Sequence, residues 1–232
     1  MHDRLILWDI DGTLLTTGPV GRLALEHGTL AVSGLERAPF VEMSGKTDPQ
    51  IIREMLALEG MRHDEIDRVL PEALVEAERF LEGETERMLS EGRVHPGVRA
   101  LLDALSETDG VRQSLLTGNV AANAIVKVRT FGLDSYFDFE IGAYGTDHAD
   151  RAELVPFALR RARELRDEDY RPDEVWIIGD TANDLRCATA AGAHCLIVGT
   201  GKDGFDAVRS LAADAVLADL SDTSLALKIL LG

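Results

Sequence analysis

The apolar run Leu5-Ile6-Leu7-Trp8 stops abruptly at Asp9-Ile10-Asp11-Gly12-Thr13. A short unbroken apolar segment closed by a polar, glycine-containing turn reads as a strand buried on both faces of a parallel sheet. Such a strand constrains the whole chain, because it requires parallel neighbours and a helical layer on each side. Open α/β sheets gather their ligands beyond the carboxyl ends of the strands. Asp9 and Asp11 lie two positions apart there, so both address one small volume, and Gly12 lets the backbone turn sharply. This arrangement suits oxygen coordination of a divalent cation. It also suits attack by one carboxylate as a nucleophile and proton transfer by the other. The same four residues equally describe a plain turn with two solvated acids.

Two later strand candidates end in the same manner. Val111–Leu116 is followed by Thr117-Gly118-Asn119, and Glu174–Ile178 by Gly179-Asp180-Thr181-Ala182-Asn183-Asp184. From residue 96 onward strand and helix patterns alternate, with a short, weaker strand expected at Tyr136–Ile141 and further strands at Cys195–Val198 and Ala215–Leu217. This alternation predicts a Rossmann-like parallel sheet with helices on both faces and right-handed crossovers. Residues 18–92 contain no buried-strand pattern. Helical periodicity runs from Gly21 to about Val32, from Asp48-Pro49 to Leu58, and from Asp64 to about Leu89, with a break expected near Pro71. Residues 18–92 therefore read as an all-helical cap inserted into a core made of 1–17 and 93–232. Ser221 is the expected cap of a last helix ending near Leu230, and Asp48 that of the helix beginning with Pro49.

In a parallel sheet the three polar turns share one edge. Asp9, Asp180 and Asp184 then supply hard oxygen ligands suited to Mg²⁺. Thr117 offers a hydroxyl, and the backbone behind it, opening a helix, offers N–H groups to an anion. Arg151 also precedes a helix and brings positive charge to that edge. Phosphoryl transfer needs these parts together: a nucleophile, a metal, donors for the equatorial oxygens and a proton donor. Taken singly, each has an ordinary alternative: a strand-to-helix turn for Thr117-Gly118-Asn119, a helix cap for Asp184, a surface residue for Arg151.

Composition narrows the partners. A formal charge of −17 over 232 residues argues against a nucleic-acid or anionic-membrane surface. It is compatible with a small phosphorylated substrate neutralised by a metal and a few basic groups. The cysteines Cys187 and Cys195 sit in apolar surroundings, as expected of reduced core thiols in a cytoplasmic protein. The histidines form no ligand pair, so no zinc site is expected. No apolar span of membrane length and no signal-type pattern appears. Trp8 and Trp176 are expected in the core, and the charge run Glu72–Glu91 on a solvated helix face. Oligomeric state is not legible.

The first motif, Asp9-Ile10-Asp11-Gly12-Thr13-Leu14, the second, Leu115-Leu116-Thr117-Gly118-Asn119, and the last, Trp176 through Asp184, resemble those of the haloacid dehalogenase-like hydrolase superfamily. The helical insertion is similar to that of its phosphoglycolate phosphatase-like branch. The resemblance implies Mg²⁺ bound by Asp9, Asp180 and the backbone carbonyl of Asp11, with Asp184 supporting the metal or its waters. It implies Asp9 as nucleophile, forming an aspartyl phosphate, and Asp11 as general acid/base. Thr117 would hold the phosphoryl group, assisted by the backbone at Gly118, with Gly12 and Asn119 joining the substrate-binding set. The family's third motif is usually a lysine; here its place is taken by Arg151, which keeps the charge with a different reach. Lys127 is the fallback for that role, though its mid-helix position predicts solvation.

An acid at Asp11 favours phosphate monoesters, whose alkoxide leaving group needs a proton, over halides and phosphonates. The resemblance thus implies a Mg²⁺-dependent phosphomonoester hydrolase acting on a small phosphorylated metabolite. A phosphomutase of the β-phosphoglucomutase type and a non-catalytic protein of the same fold are the alternatives. Phosphoglycolate, sugar phosphates and nucleoside monophosphates all stay open as substrates. In the cap, Ser44-Gly45-Lys46-Thr47-Asp48 joins small, basic and hydroxyl groups, so Lys46 and Thr47 are expected to face the leaving group.

Overall fold

The computed structural model describes residues 4–232. Strands β1 (Arg4–Trp8) and β2 (Leu15–Thr16) lead into helices α1 (Val20–Ser33), α2 (Asp48–Leu58), α3 (His63–Gly83) and α4 (Thr85–Glu91). After β3 (Arg93–Val94) come α5 (Val98–Ser106), β4 (Val111–Leu115), α6 (Ala121–Thr130) and α7 (Val155–Arg166). The chain ends with β5 (Val175–Gly179), α8 (Ala182–Ala191), β6 (His194–Val198), α9 (Gly204–Val208), β7 (Ala215–Leu217) and α10 (Thr223–Leu231). Among the described residues no helix is long and apolar enough to cross a membrane.

Five strands form one parallel sheet in the order β4-β1-β5-β6-β7. Residues Leu5 to Trp8 are fully buried, which their unbroken apolar character requires. Alternation along β1 splits them between the layers. Ile6 and Trp8 join a core with Leu101 and Leu105 of α5, Ala124 of α6 and Ala226 of α10. Leu5 and Leu7 join the opposite core with Ala158 and Ala162 of α7 and Cys187 of α8. The carboxyl ends of β4, β1 and β5 therefore stand side by side.

Helices α1–α4 lie between β2 and β3, as expected of a cap. These two short strands pair antiparallel, Leu15 with Val94 and Thr16 with Arg93, and bring both ends of the helical region together. Helix α3 passes through Pro71 without breaking; the interruption falls at Glu84 instead. The buried stripe Ile66, Leu70, Ala73, Ala77 and Leu81 runs continuously across the proline. Tertiary packing of that stripe outweighs the lost backbone hydrogen bond.

Two other expectations are corrected. Tyr136–Ile141 is not a strand: it holds 3-10 turns at Asp134–Tyr136 and Phe139–Ile141, and a lone bridge joins Leu116 to Ala143. Asp138 caps the second turn: its carboxylate accepts from Glu140 N at 3.3 Å and from Arg166 Nε at 2.7 Å. Helix caps also shift by one residue. Thr47 caps α2, accepting from Gln50 N at 3.3 Å, and Asp222 caps α10, accepting from Leu225 N at 3.0 Å.

The seat of the helical region depends on a close crossing of α1 and α3. A Cβ added at Gly28 would lie 2.2 Å from the Ala73 carbonyl oxygen and 3.2 Å from the Ala77 Cβ. Helix propensity alone favours alanine by about 1 kcal/mol. The crossing predicts the reverse sign: Gly28→Ala should destabilise by about 1–3 kcal/mol through overpacking. Urea melts of the two proteins decide it; a more stable variant would remove the close crossing.

Candidate active site

The backbone leaves β1 at Asp9, whose N–H donates to the Ile178 carbonyl of β5 at 2.9 Å. This bond ties the first strand end to the strand that carries Asp180. Side-chain oxygens of Asp9, Asp180 and Asp184 lie within 4.8 Å of one another, and all three residues are buried. The convergence expected of acids from opposite ends of the chain is therefore met.

Each acid is fixed by its surroundings. Asp184 Oδ2 accepts from Asp180 N at 3.2 Å, Thr181 N at 2.9 Å and Thr181 Oγ1 at 2.7 Å. It thus forms a capping box with Thr181 at the start of α8 while standing beside Asp9 and Asp180. Its other oxygen accepts from Arg151 Nη2 at 2.5 Å, and the same nitrogen lies 2.9 Å from Asp9 Oδ1. Arg151 is buried, not on the surface. Asp180 Oδ1 accepts from Thr13 Oγ1 at 3.1 Å. Gly12 sits at φ +91°, and a Cβ there would lie 2.4 Å from Asp180 Oδ2. Both the backbone conformation and the space demand glycine at this turn.

Electrostatics follow from burial. Asp9 is pushed up to about 6, chiefly by burial; Arg151 opposes the rise, and the charges of Asp184 and Asp11 add to it. Burial, followed by the charges of Asp184 and Asp9, holds Asp180 well above the usual carboxylate range. Burial also works against the charge of Arg151, but Asp184 and Asp9 outweigh it and keep the guanidinium charged. Three buried carboxylates thus share one buried guanidinium. An unbalanced cluster of hard oxygen donors fits a divalent cation, which would neutralise the remaining charge.

Asp11 stands apart from this cluster. Its Oδ2 accepts from Asn119 Nδ2 at 2.8 Å and from Lys127 Nζ at 2.6 Å. The expectation that Lys127 is solvated is wrong: it is buried against Asp11 and Asn119. Nor does it substitute for Arg151, because it pairs with Asp11 rather than Asp9. Thr117 is buried, and its Oγ1 accepts from Asn119 N at 3.3 Å and Nδ2 at 2.8 Å.

The loop before α2 docks on the core edge. Asp48 N donates to the Gly118 carbonyl at 2.8 Å, and Asp48 Oδ2 accepts from Val120 N at 3.0 Å and Asn123 Nδ2 at 2.9 Å. A Cβ on Gly118 would lie 2.1 Å from the Lys46 carbonyl oxygen. On the other side Asn183 Nδ2 donates to the Gly45 carbonyl at 3.0 Å. Of the two cap residues expected to face a leaving group, Lys46 lines the cavity and pairs with Glu54. Thr47 does not line it: it is fully buried, with its hydroxyl spent on capping α2. Asp48 is absorbed in joining the loop to the core, so it leaves the capping to Thr47.

A cavity of about 660 Å³ opens above these groups, lined by Asp9, Asp11, Thr117, Arg151 and Asp180 from the core edge and by Lys46 from the loop. Thr200 and His95 are among the members that sequence reasoning overlooked. Thr200, after β6, donates from Oγ1 to the Gly12 carbonyl at 2.6 Å; the glycine-rich turn following a further strand was the available signal. His95, after β3, is buried with Nε2 unpartnered, and burial together with Arg93 lowers its pKa. No local pattern pointed to it.

Residues 4–192 match the family model of haloacid dehalogenase-like hydrolases. The chain is similar to a phosphoglycolate phosphatase of Nitrosospira multiformis, 26% identical over 227 residues, covering 95% of this chain and 94% of that one. It is 28% identical over 222 residues to a plasmid-borne phosphoglycolate phosphatase of Cupriavidus necator, covering 93% and 89%. In fold it resembles CbbY of Rhodobacter sphaeroides, solved in complex with phosphate. The TM-score is 0.66 at 19% identity, covering 95% of this chain and 96% of that one.

Proposed function

We propose, from the premise that this chain belongs to the haloacid dehalogenase-like hydrolase family, that it is a Mg²⁺-dependent phosphomonoester phosphatase acting on a small phosphorylated metabolite. The observation that carries this reading is Asp9 itself. Its carboxylate is buried at a strand end, bonded to Arg151, within reach of two further acids and open to the cavity. The phosphatase names of the similar chains support the same substrate chemistry.

In the first half-reaction a carboxylate oxygen of Asp9 bonds to phosphorus as the phosphorus–oxygen bond to the alkoxide breaks. Asp11 gives its proton to the departing oxygen. In the second half Asp11 takes a proton from water as that water attacks the aspartyl phosphate, releasing inorganic phosphate and freeing Asp9. Thr117 and the backbone at Gly118 and Asn119 offer donors to the phosphoryl oxygens. Arg151 steadies Asp9 and places positive charge beside the transferring group. Asp9, Asp180, Asp184 and the Asp11 carbonyl would hold Mg²⁺, whose charge offsets that of the phosphoryl group. Lys46, at the loop that meets the core, would contact the leaving group and so bias substrate choice.

A panel of phosphorylated metabolites with Mg²⁺ tests the reading. Free phosphate should appear from alkyl phosphates, and Lys46→Ala should reorder the preferred substrates by about tenfold in kcat/KM, as expected for losing about 1.4 kcal/mol. Sugar phosphate isomers without free phosphate would point to a phosphomutase instead. An unchanged ranking would remove Lys46 from the substrate contacts.

A further inference from the structure

The buried lysine of α6 is explained neither by the fold nor by the reaction as described so far. An ammonium taken out of water is costly unless it is paired. Lys127 Nζ lies 2.6 Å from Asp11 Oδ2 and 2.6 Å from Asn119 Oδ1. Asn119 closes the triangle, donating from Nδ2 to Asp11 Oδ2 at 2.8 Å and to Thr117 Oγ1 at 2.8 Å. Asp11 lines the cavity, and its other oxygen, Oδ1, has no hydrogen-bond partner among the described residues. The first turn of α1 closes over the ammonium: a Cβ on Gly21 would lie 3.4 Å from Lys127 Nζ. Other duties for this lysine are already filled. Arg151 serves Asp9, while Val120 N and Asn123 serve the Asp48 carboxylate.

We propose that Lys127 is a positioning residue for the proton transfer: with Asn119 it clamps one oxygen of Asp11, so that the other faces the leaving-group oxygen. The inference rests on Asp11 being the general acid/base. Lys127 moves no proton. When Asp11 gives its proton to the departing alkoxide it becomes a carboxylate, and the two donors on Oδ2 stabilise and orient that carboxylate. They hold it in place until it accepts the proton of the attacking water. Removing the clamp should cost most where the leaving group most needs a proton.

The experiment compares an alkyl phosphate from the metabolite panel with p-nitrophenyl phosphate, whose leaving group departs without protonation. Lys127→Met should lower kcat on the alkyl ester on the order of 10²-fold, the range of general acid–base contributions. On the aryl ester it should lower kcat by less than about tenfold, with KM within about threefold in both cases. Lys127→Gln, which keeps a donor, should recover part of the loss. Adding Lys127→Met to Asp11→Asn should cost nothing further, since both act through one group. Equal losses on the two esters, a loss confined to KM, multiplying losses or no loss would each overturn the clamp. Should Lys127→Met fail to melt cooperatively, Lys127→Gln carries the same comparison. If Asp11→Asn is itself indifferent to the leaving group, the acid/base reading falls and the clamp falls with it. If Asp11→Asn discriminates and the Lys127 variants do not, only the clamp is lost.

Discussion

Asp9→Asn is expected to lose at least about four orders of magnitude in kcat, as removal of a nucleophile does elsewhere, while melting at or above the temperature of the parent in metal-free buffer. The two halves of this expectation come from different physics. An amide oxygen does not displace an alkoxide from phosphorus, so no aspartyl phosphate forms. Stability is decided by a contest between Arg151, 2.9 Å away, and the cost of burying the carboxylate. Burial is the larger influence, since it drives Asp9 up to about 6 despite the guanidinium. A neutral side chain of the same shape removes that cost, and Arg151 keeps its bond to Asp184. Phosphate release and thermal melts on one preparation read both halves. Residual turnover above about one part in a thousand would contradict the nucleophile. A clear drop in melting temperature would mean that the pairing with Arg151 outweighs burial.

The parts legible in the sequence were those that local chemistry encodes. β1 and β5 announced themselves because a strand buried on both faces favours apolar residues, and β4, an edge strand that carries Arg112, Gln113 and Ser114, showed chiefly through the Thr117-Gly118-Asn119 turn that follows it. Asp9 and Asp180 could be brought together on paper because parallel strands share an edge. Arg151 was legible through its place before a helix and through resemblance, with a surface position as the ordinary alternative. Its neighbours Asp150 and Ala152 carry no signal that the side chain turns inward across 33 residues to Asp184.

What stayed hidden depends on the rotational phase of helices and on how one unit docks against another. Lys127 looked solvated because a lysine in mid-helix usually is. Its burial follows from the helical region closing over α6, where Gly21 of α1 leaves room for the ammonium. Asp48 looked like a helix cap, and Thr47 like a substrate contact. Docking of their loop passed the capping to Thr47, because Asp48 could satisfy Val120 N and Asn123 at once. The ribbon of β2 and β3 has two residues on each strand, too few for any periodicity to register.

Stability in the absence of divalent metal should rise as the pH falls from 7 to 5, against the usual trend for a protein this rich in ion pairs. The sign follows from Asp9, whose carboxyl titrates near 6 when folded and near 3.8 in the open chain. Above pH 6 folding must bury its charge, and below 6 a proton removes that cost progressively down to about 4. Between pH 7 and 5 this group alone contributes about 1 kcal/mol, or a rise of about 2–4 °C in a protein of this size. Asp180 shifts in the same direction and adds to it. Millimolar Mg²⁺ should reverse the slope. A cation held by ionised carboxylates stabilises the folded chain by about 2.7 kcal/mol at a hundred times its Kd. It must displace a proton from each raised acid below pH 6, so its Kd weakens about tenfold per unit for every proton released. The melting curves with EDTA and with Mg²⁺ should therefore stand well apart at pH 7.5 and converge near pH 5. In Asp9→Asn the metal-free curve should lose the share of its pH dependence that Asp9 supplies and keep the share that Asp180 supplies. A metal-free melting temperature that falls steadily from pH 7 to 5, or a Mg²⁺ shift that ignores pH, would mean that the acids around Asp9 are ionised without a metal.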